Sequence, residues 1–294
     1  MAKLSKEEIL ETLAPFFALN EEVIDVIIPS VWQVPEGYVL EKFQVKGTQV
    51  ERLIPKDKNP DTIIYHLHGG GYATRYMDPY RDIAMQYSKV AGNAEVVSID
   101  YGCAPNHVFP SALDESINVY SWMMEHGYDA SKIVIIGDSA GGNLTLATTM
   151  YIRDHKMPMP KGVITFSPWT SLESTFDSVE HNKEKDLLLG SGCPFLNNIV
   201  YHPAYAGDTD KKTPYLSPLY GTYKDFPPML VQCGDYEVLF DQIDQMAKKA
   251  KEEGVDVTYH AYPGMFHDFQ LLVPALDESE EAWKEIKAFF DKIK

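Results

Sequence analysis

The most informative segment of the chain is KIVIIGDSAGGNLTL, residues 132–146. Four apolar residues at 133–136 favour a β-strand, and the residues after the glycines have apolar spacing typical of a helix. The pattern Gly-x-Ser-x-Gly at 137–141 is typical of a nucleophilic serine held on a sharp turn between strand and helix. Glycines suit this turn because the two backbones nearly touch. The segment predicts Ser139 as a nucleophile beside a helix N-terminus that favours developing negative charge; a glycine-rich turn with an incidental serine is the alternative.

Composition indicates a globular protein with an acidic surface. The chain has 294 residues, 45% of them hydrophobic, and a net charge of −17. We expect one large domain, with no nucleic acid or anionic membrane as the main partner. No apolar run approaches the ~18 residues of a membrane span, and no signal peptide is evident. Three cysteines without a CxxC pair favour a reduced, cytoplasmic setting.

Strand and helix patterns alternate along most of the chain. An antiparallel pair at 39–45 and 49–54 precedes six further strands at 62–67, 94–99, 132–136, 163–166, 229–233 and 257–262. Helical patterns cover 80–90, 112–126, 140–153, 241–253 and 278–293. This alternation predicts an α/β fold with a mostly parallel, eight-stranded sheet and helices on both faces.

Two regions fall outside this alternation. Helices are predicted at 5–13 and 21–28, before any strand, and about sixty residues between 166 and 229 show no clear strand. An insertion of that length is normally functional. We therefore expect a single domain, 1–294, with a helical cap built from 1–36 and about 172–212.

A serine needs a base and an orienting acid before it can attack. His267 follows the last predicted strand after a Pro-Gly turn, where the order serine, acid, histidine requires the base. Two carboxylates, Asp235 and Glu237, follow the preceding strand, and the residues alone leave both open as the acid. Either could also cap a turn or begin a helix.

The segment His68-Gly69-Gly70-Gly71-Tyr72 directly follows the third strand. It has the HGGG pattern that supplies oxyanion-binding N–H groups in lipases and esterases. We assign the oxyanion hole to the N–H groups of Gly70, Gly71 and Ala140; each such donor contributes about 3 kcal/mol to transition-state stabilisation. The Walker and Rossmann glycine spacings are missing, which argues against a phosphate loop. Alternate residues His66 and His68 lack a third ligand at a recognisable spacing, so we predict no metal site.

Together these motifs resemble those of the hormone-sensitive-lipase-like (GDSAG) carboxylesterases, which have the α/β-hydrolase fold. The resemblance covers almost the whole chain and rests on HGGGY at 68–72, GDSAGG at 137–142, DYGCAP at 100–105, FPSALD at 109–114, SPW at 167–169 and SPL at 217–219. The family's acid block D-P-L-x-D reads EVLFD at 237–241, so the resemblance selects Glu237 over Asp235. Gly102 and Cys103 replace the usual Arg-Leu of the family.

This resemblance implies a serine carboxylesterase that acts through an acyl-enzyme, with Ser139, Glu237 and His267 as its triad and no cofactor. The family prefers short- to medium-chain esters of small molecules, and bulky Tyr72, Tyr76, Phe109 and Trp169 would favour a small acyl group. Hydrolysis of an amide, formamide, lactone or peptide is the alternative, followed by a non-catalytic ligand receptor on the same fold. A homodimer is left open.

Overall fold

The computed structural model describes residues 4–59 and 61–294. Within them one sheet has eight strands in the order β1-β2-β4-β3-β5-β6-β7-β8. Strand β1 pairs antiparallel with β2, and β2 with β4; the remaining pairs are parallel. The predicted mostly parallel sheet is therefore confirmed. Its strands are β1 Tyr38–Val45, β2 Thr48–Pro55, β3 Ile63–Leu67, β4 Glu95–Asp100, β5 Ile133–Asp138, β6 Gly162–Phe166, β7 Met229–Gly234 and β8 Val257–Tyr262.

Helices cover both faces of this sheet, as predicted. They are α1 Lys6–Phe17, α2 Asp78–Val90, α3 Ser111–Glu125, α4 Ser139–Asp154, α5 Asp177–His181, α6 Pro194–Tyr201, α7 Phe240–Glu252, α8 Phe269–Leu272 and α9 Asp277–Lys292. Alternate residues of a strand point to opposite faces. In β5, Ile133 and Ile135 join the core beneath α3, α4 and α7, whereas Val134 and Ile136 join the core beneath α2 and α9. The centre of the sheet is thus apolar on both sides.

Strand β5 lies between β3 and β6, and Ser139 directly follows it at the carboxyl edge of the sheet. The glycines of its turn are explained by contact distances: a Cβ at Gly141 would lie 2.0 Å from the carbonyl oxygen of Leu67. A Cβ at Gly137 would lie 2.3 Å from the carbonyl oxygen of Gly141. The turn therefore closes this tightly only because both residues lack a side chain.

The N-terminal segment, residues 4–36, differs from its prediction. Helix α1 continues through Pro15 to Phe17, and the helix predicted at 21–28 is wrong: only the 3₁₀ turn Glu21–Val23 forms. The chain then turns at Asp25, which has a left-handed φ of 49°. The carboxylate of Asp25 binds the guanidinium of Arg75 and the backbone N–H of Cys103. These tertiary contacts override the local apolar spacing, and Ile27 remains 66% exposed.

The insertion, residues 172–212, contains α5, α6 and the 3₁₀ turn Ala204–Ala206. It lies over the carboxyl edge of the sheet: Asn182 Nδ2 donates to the carbonyl oxygens of Asp235 and Glu237, which follow β7. A helix long and apolar enough to cross a membrane is not found in the described part of the chain.

Candidate active site

Ser139 occupies the strained turn at the start of α4. Its φ is 51°, a left-handed value that a non-glycine residue rarely adopts, and it is 8% exposed. The Ser139 carbonyl accepts from Trp169 N at 2.9 Å, which fixes the turn from the neighbouring strand end. Asn143, one helical turn further, donates to the Trp169 carbonyl at 2.6 Å and accepts from Tyr72 Oη at 2.7 Å. The turn is thus held from several sides.

The glycine loop after β3 lies against this turn. Gly70 and Gly71 have φ values of 97° and 65°, which are strained for any residue with a Cβ. The Gly70 carbonyl accepts from the backbone N–H groups of Ala73 and Thr74, which closes the loop. Gly70, Gly71 and Ser139 line one cavity, and Ala140 is buried in the first turn of α4. The structure therefore brings the predicted oxyanion glycines and the predicted nucleophile to the same space.

His267 follows β8 and is 1% exposed. Its Nδ1 lies 3.1 Å from Glu237 Oε2. Asp235 instead accepts from the Gly264 N–H at 2.6 Å and so supports the turn that leads to His267. Of the two carboxylates that the residues left open, the one beside the imidazole is that of Glu237.

Glu237 is fully buried and its second oxygen is also engaged. Its Oε1 accepts from Ser167 Oγ at 2.7 Å and from the Gly234 N–H. Burial raises the pKa of Glu237, and its hydrogen bond to His267 opposes that rise. Burial alone would lower the pKa of His267, but Asp268 and Glu237 together raise it well above its ordinary value. The imidazole is therefore held in one orientation and in a strongly anionic environment.

Asp186 is a residue of this site that the sequence did not reveal. Its carboxylate accepts from the backbone N–H groups of Leu188 and Leu189, both at 3.1 Å, and of Val238 at 3.0 Å. The backbone N–H of His267 also donates to this carboxylate, at 3.4 Å. Burial raises the pKa of Asp186, while His267 and these donors oppose the rise. An Asx turn over 186–189 is readable from sequence, but the bonds to distant loops are not.

His66 and His68 are buried and bind protein groups rather than each other. The His66 Nδ1 lies 3.0 Å from Ser98 Oγ, and the His68 Nδ1 lies 2.8 Å from the Gly69 carbonyl oxygen. Burial lowers the pKa of each to about 3, so both rings are neutral. Residues 4–59 and 61–294 contain no group of three or more His, Cys, Asp or Glu side chains arranged to hold a metal ion.

A cavity of about 880 Å³, counted out to its open mouth, contains both Ser139 and His267 in its wall. Most other wall residues are apolar. They come from the N-terminal segment (Phe16, Leu19), the start of α2 (Met77, Pro79, Ile83), the insertion (Leu188, Leu189, Leu196, Ile199, Val200), the residue before α7 (Leu239) and α8 (Leu271, Leu272). Of the four aromatic residues expected near the acyl group, Trp169 lines the cavity. Tyr72 and Phe109 instead pack on Tyr205, and Tyr76 packs beside His68.

The sheet, the serine turn and the histidine after the last strand define an α/β hydrolase. Residues 64–271 match the family described as alpha/beta hydrolase fold, and the chain belongs to this family. It is 31% identical to an esterase of Acinetobacter venetianus over 227 residues, 77% of this chain and 74% of that protein. It is 30% identical to an acetyl-hydrolase of Streptomyces hygroscopicus over 256 residues, 87% of this chain and 83% of that protein.

A solved structure gives the same result. The crystal structure of an esterase from the bacterial hormone-sensitive lipase family superposes with a TM-score of 0.83 at 27% identity, covering 98% of this chain and 99% of that one. The resemblance predicted from the sequence motifs is confirmed.

Proposed function

We propose that the chain hydrolyses esters of short- to medium-chain carboxylic acids through an acyl-enzyme formed on Ser139. That it is a carboxylic ester hydrolase follows from its family and from relatives that are esterases and an acetyl-hydrolase. The observation that carries the mechanism is one apolar cavity lined by the strained Ser139, two glycines in left-handed conformation and His267, whose ring contacts Glu237. This combination supplies a nucleophile, a base and oxyanion donors.

In the proposed reaction, Ser139 Oγ attacks the ester carbonyl carbon while His267 Nε2 takes the hydroxyl proton. Glu237 keeps the ring in one tautomer through Nδ1 and stabilises the imidazolium. The N–H groups of Gly70, Gly71 and Ala140 bind the oxyanion. The tetrahedral intermediate collapses as His267 returns the proton to the leaving alcohol, and a water then releases the acid by the same steps.

The proposal includes a cap that covers the cavity. Phe16 and Leu19 of the N-terminal segment and Leu188, Leu189 and Ile199 of the insertion contribute apolar side chains to the cavity wall. An apolar cover over the serine suits the acyl chain of an ester and reduces water around the developing charge. We therefore assign the cap to 1–36 and about 172–212, of which residues 1–3 lie outside the described part of the chain.

A cytoplasmic location is also part of the proposal. Cys103, Cys193 and Cys233 are buried free thiols, which suits a reducing compartment.

The test compares wild type with Ser139→Ala on p-nitrophenyl acetate and butyrate. We expect wild type to hydrolyse both esters and to be labelled at Ser139 by a fluorophosphonate, and the variant to lose both properties. Equal activity of the variant would falsify the serine mechanism. A faster rate on matched anilides than on these esters would favour an amidase, and a folded wild type that resists the fluorophosphonate would favour a receptor.

A further inference from the structure

The imidazole of His267 faces a carboxylate at each ring nitrogen. Glu237 Oε2 lies at Nδ1, and Asp268 Oδ2 lies 3.1 Å from Nε2, the nitrogen that Ser139 requires. The Nε2–Asp268 contact is electrostatic rather than a well-aligned hydrogen bond, and among the described residues Nε2 has no hydrogen-bond partner. Nε2 therefore lies against the Asp268 carboxylate, and its hydrogen-bonding capacity is not used by any other described group.

Asp268 is built into this position. It is 5% exposed, its backbone has a left-handed φ of 54°, and its N–H donates to Ser167 Oγ at 3.1 Å. Ser167 Oγ also donates to Glu237, so one hydroxyl contacts both the Glu237 carboxylate and the Asp268 backbone. The other oxygen of Asp268, Oδ1, is buried without a hydrogen-bond partner in the described part of the chain. A charge held this way acts on its neighbour with little screening.

We propose that Asp268 is a positioning residue that holds protonated His267 at Nε2 and thereby sets the pH at which the enzyme becomes active. This inference rests on the proposed esterase function. At low pH the imidazolium bridges Glu237 and Asp268 and cannot take the Ser139 proton. As the pH rises, the Nε2 proton leaves to solvent and the free nitrogen accepts from the serine hydroxyl.

Acidic groups face His267 from four parts of the fold. Glu237 comes from the loop after β7, Asp268 from the start of α8, and Asp186 from the insertion, near the His267 N–H. Asp138, from the end of β5, interacts with both His267 and Asp268. Burial and then Asp268 raise the pKa of Asp138 well above its ordinary value.

The same charge assists turnover once the enzyme is active. When Ser139 transfers its proton, Nε2 becomes positive again, and Asp268 stabilises that transition state. Removing Asp268 should therefore lower the pH midpoint of kcat/KM and also lower its plateau. A residue with a merely structural role would lower the plateau alone.

The experiment measures kcat/KM for p-nitrophenyl butyrate from about pH 5 to 9.5 in wild type, Asp268→Gly and Asp268→Asn. Glycine and asparagine both tolerate the left-handed backbone at this position. The control is Asp225→Asn, which changes an exposed aspartate with a φ of 65°. We expect both Asp268 variants to lower the midpoint by about one pH unit or more, and the control to leave it unchanged.

A second measurement does not depend on turnover. The ring nitrogens of His267 are titrated by ¹⁵N NMR in the Ser139→Ala background, with and without Asp268→Gly. A lower pKa of His267 after Asp268→Gly supports the proposal even when activity is too low to measure, and an unchanged pKa overturns it. If wild type showed neither esterase activity nor fluorophosphonate labelling, the proposed function would be rejected. The NMR titration tests only the effect of Asp268 on His267, so the two failures can be distinguished.

Discussion

The two ends of the central sheet hold buried carboxylates in opposite ways. At the amino end of β4, Glu95 has no exposed surface and binds Arg52 Nε at 2.9 Å, Tyr128 Oη at 2.6 Å and Lys58 Nζ. Burial alone would raise the pKa of Glu95, but these three partners hold it below its ordinary value of 4.5. The buried negative charge of Glu95 is therefore balanced by two cations and a hydroxyl donor.

At the carboxyl end, four carboxylates surround the imidazole of His267. They belong to Asp138, Asp186, Glu237 and Asp268. Burial raises the pKa of each of the first three above its ordinary value, whereas the partners of Glu95 outweigh burial and hold its pKa below. Perturbed acids without matched cations are typical of functional sites, whereas compensated ones are typical of structural ion pairs. The difference predicts that mutations at one end affect catalysis and at the other end affect stability.

The largest effect is expected from Glu237→Gln. The glutamine cannot stabilise the imidazolium, and its amide favours the wrong ring tautomer, so kcat should fall by about 10⁴-fold. Steady-state kinetics on p-nitrophenyl butyrate measure this loss, with circular dichroism as a check of folding.

The matched control is Asp235→Asn, which alters the neighbouring carboxylate that binds Gly264 N–H. We expect a far smaller loss of kcat there, since the ring contacts remain. If Asp235→Asn caused the greater loss, the orienting role would pass to Asp235.

A smaller loss is expected from Asp186→Asn. An asparagine offers one acceptor oxygen where the carboxylate receives N–H groups on both oxygens, so the loops carrying Glu237 and His267 should loosen. We expect kcat to fall about a hundredfold, as is typical of a displacement of about 1 Å in a catalytic group. Glu184→Gln, two residues away and exposed, serves as the control. Equal kcat values for Asp186→Asn and Glu184→Gln would show that Asp186 does not support the catalytic loops.

Much of the fold could be predicted because the central strands β3, β5, β6 and β7 are buried and mainly apolar. Such strands, separated by helices, have few alternatives to a covered parallel sheet. The prediction of a helix at 21–28 was wrong because the conformation of this segment depends on distant contacts. Its spacing is local, but the conformation there depends on Asp25, whose partners Arg75 and Cys103 are distant in sequence.

The residues of the candidate site likewise include some that local sequence predicts and others that depend on distant contacts. Ser139, Gly70 and Gly71 could be predicted because the strand-turn geometry itself requires their residue types. The placement of Glu237 beside the ring came from the family resemblance, since spacing left Asp235 equally open. Asp186 and Asp268 were missed because their significance depends on contacts between loops that the sequence does not bring together.

The smallest effect is expected at the other end of the sheet, from Glu95→Gln. Arg52 and Lys58 would lose their buried acceptor, although both reach solvent, with side chains 23% and 39% exposed. We expect the free energy of unfolding to fall by about 2 kcal/mol at neutral pH, with kcat unchanged. Urea denaturation measures the first quantity and ester hydrolysis the second.

The stability loss caused by Glu95→Gln should depend on pH. The pKa of Glu95 is lower in the folded protein than its ordinary value of 4.5, so its stabilisation is present above that value. It is lost as the pH falls through the folded pKa, and the gap between wild type and Glu95→Gln should close in acid. Glu41→Gln is the matched control: Glu41 pairs with the same Arg52 but is 49% exposed, and exposed pairs contribute about 0 to 1 kcal/mol. Equal losses in the two variants would mean that burial of the carboxylate, and hence the contrast between the two ends, has no energetic consequence.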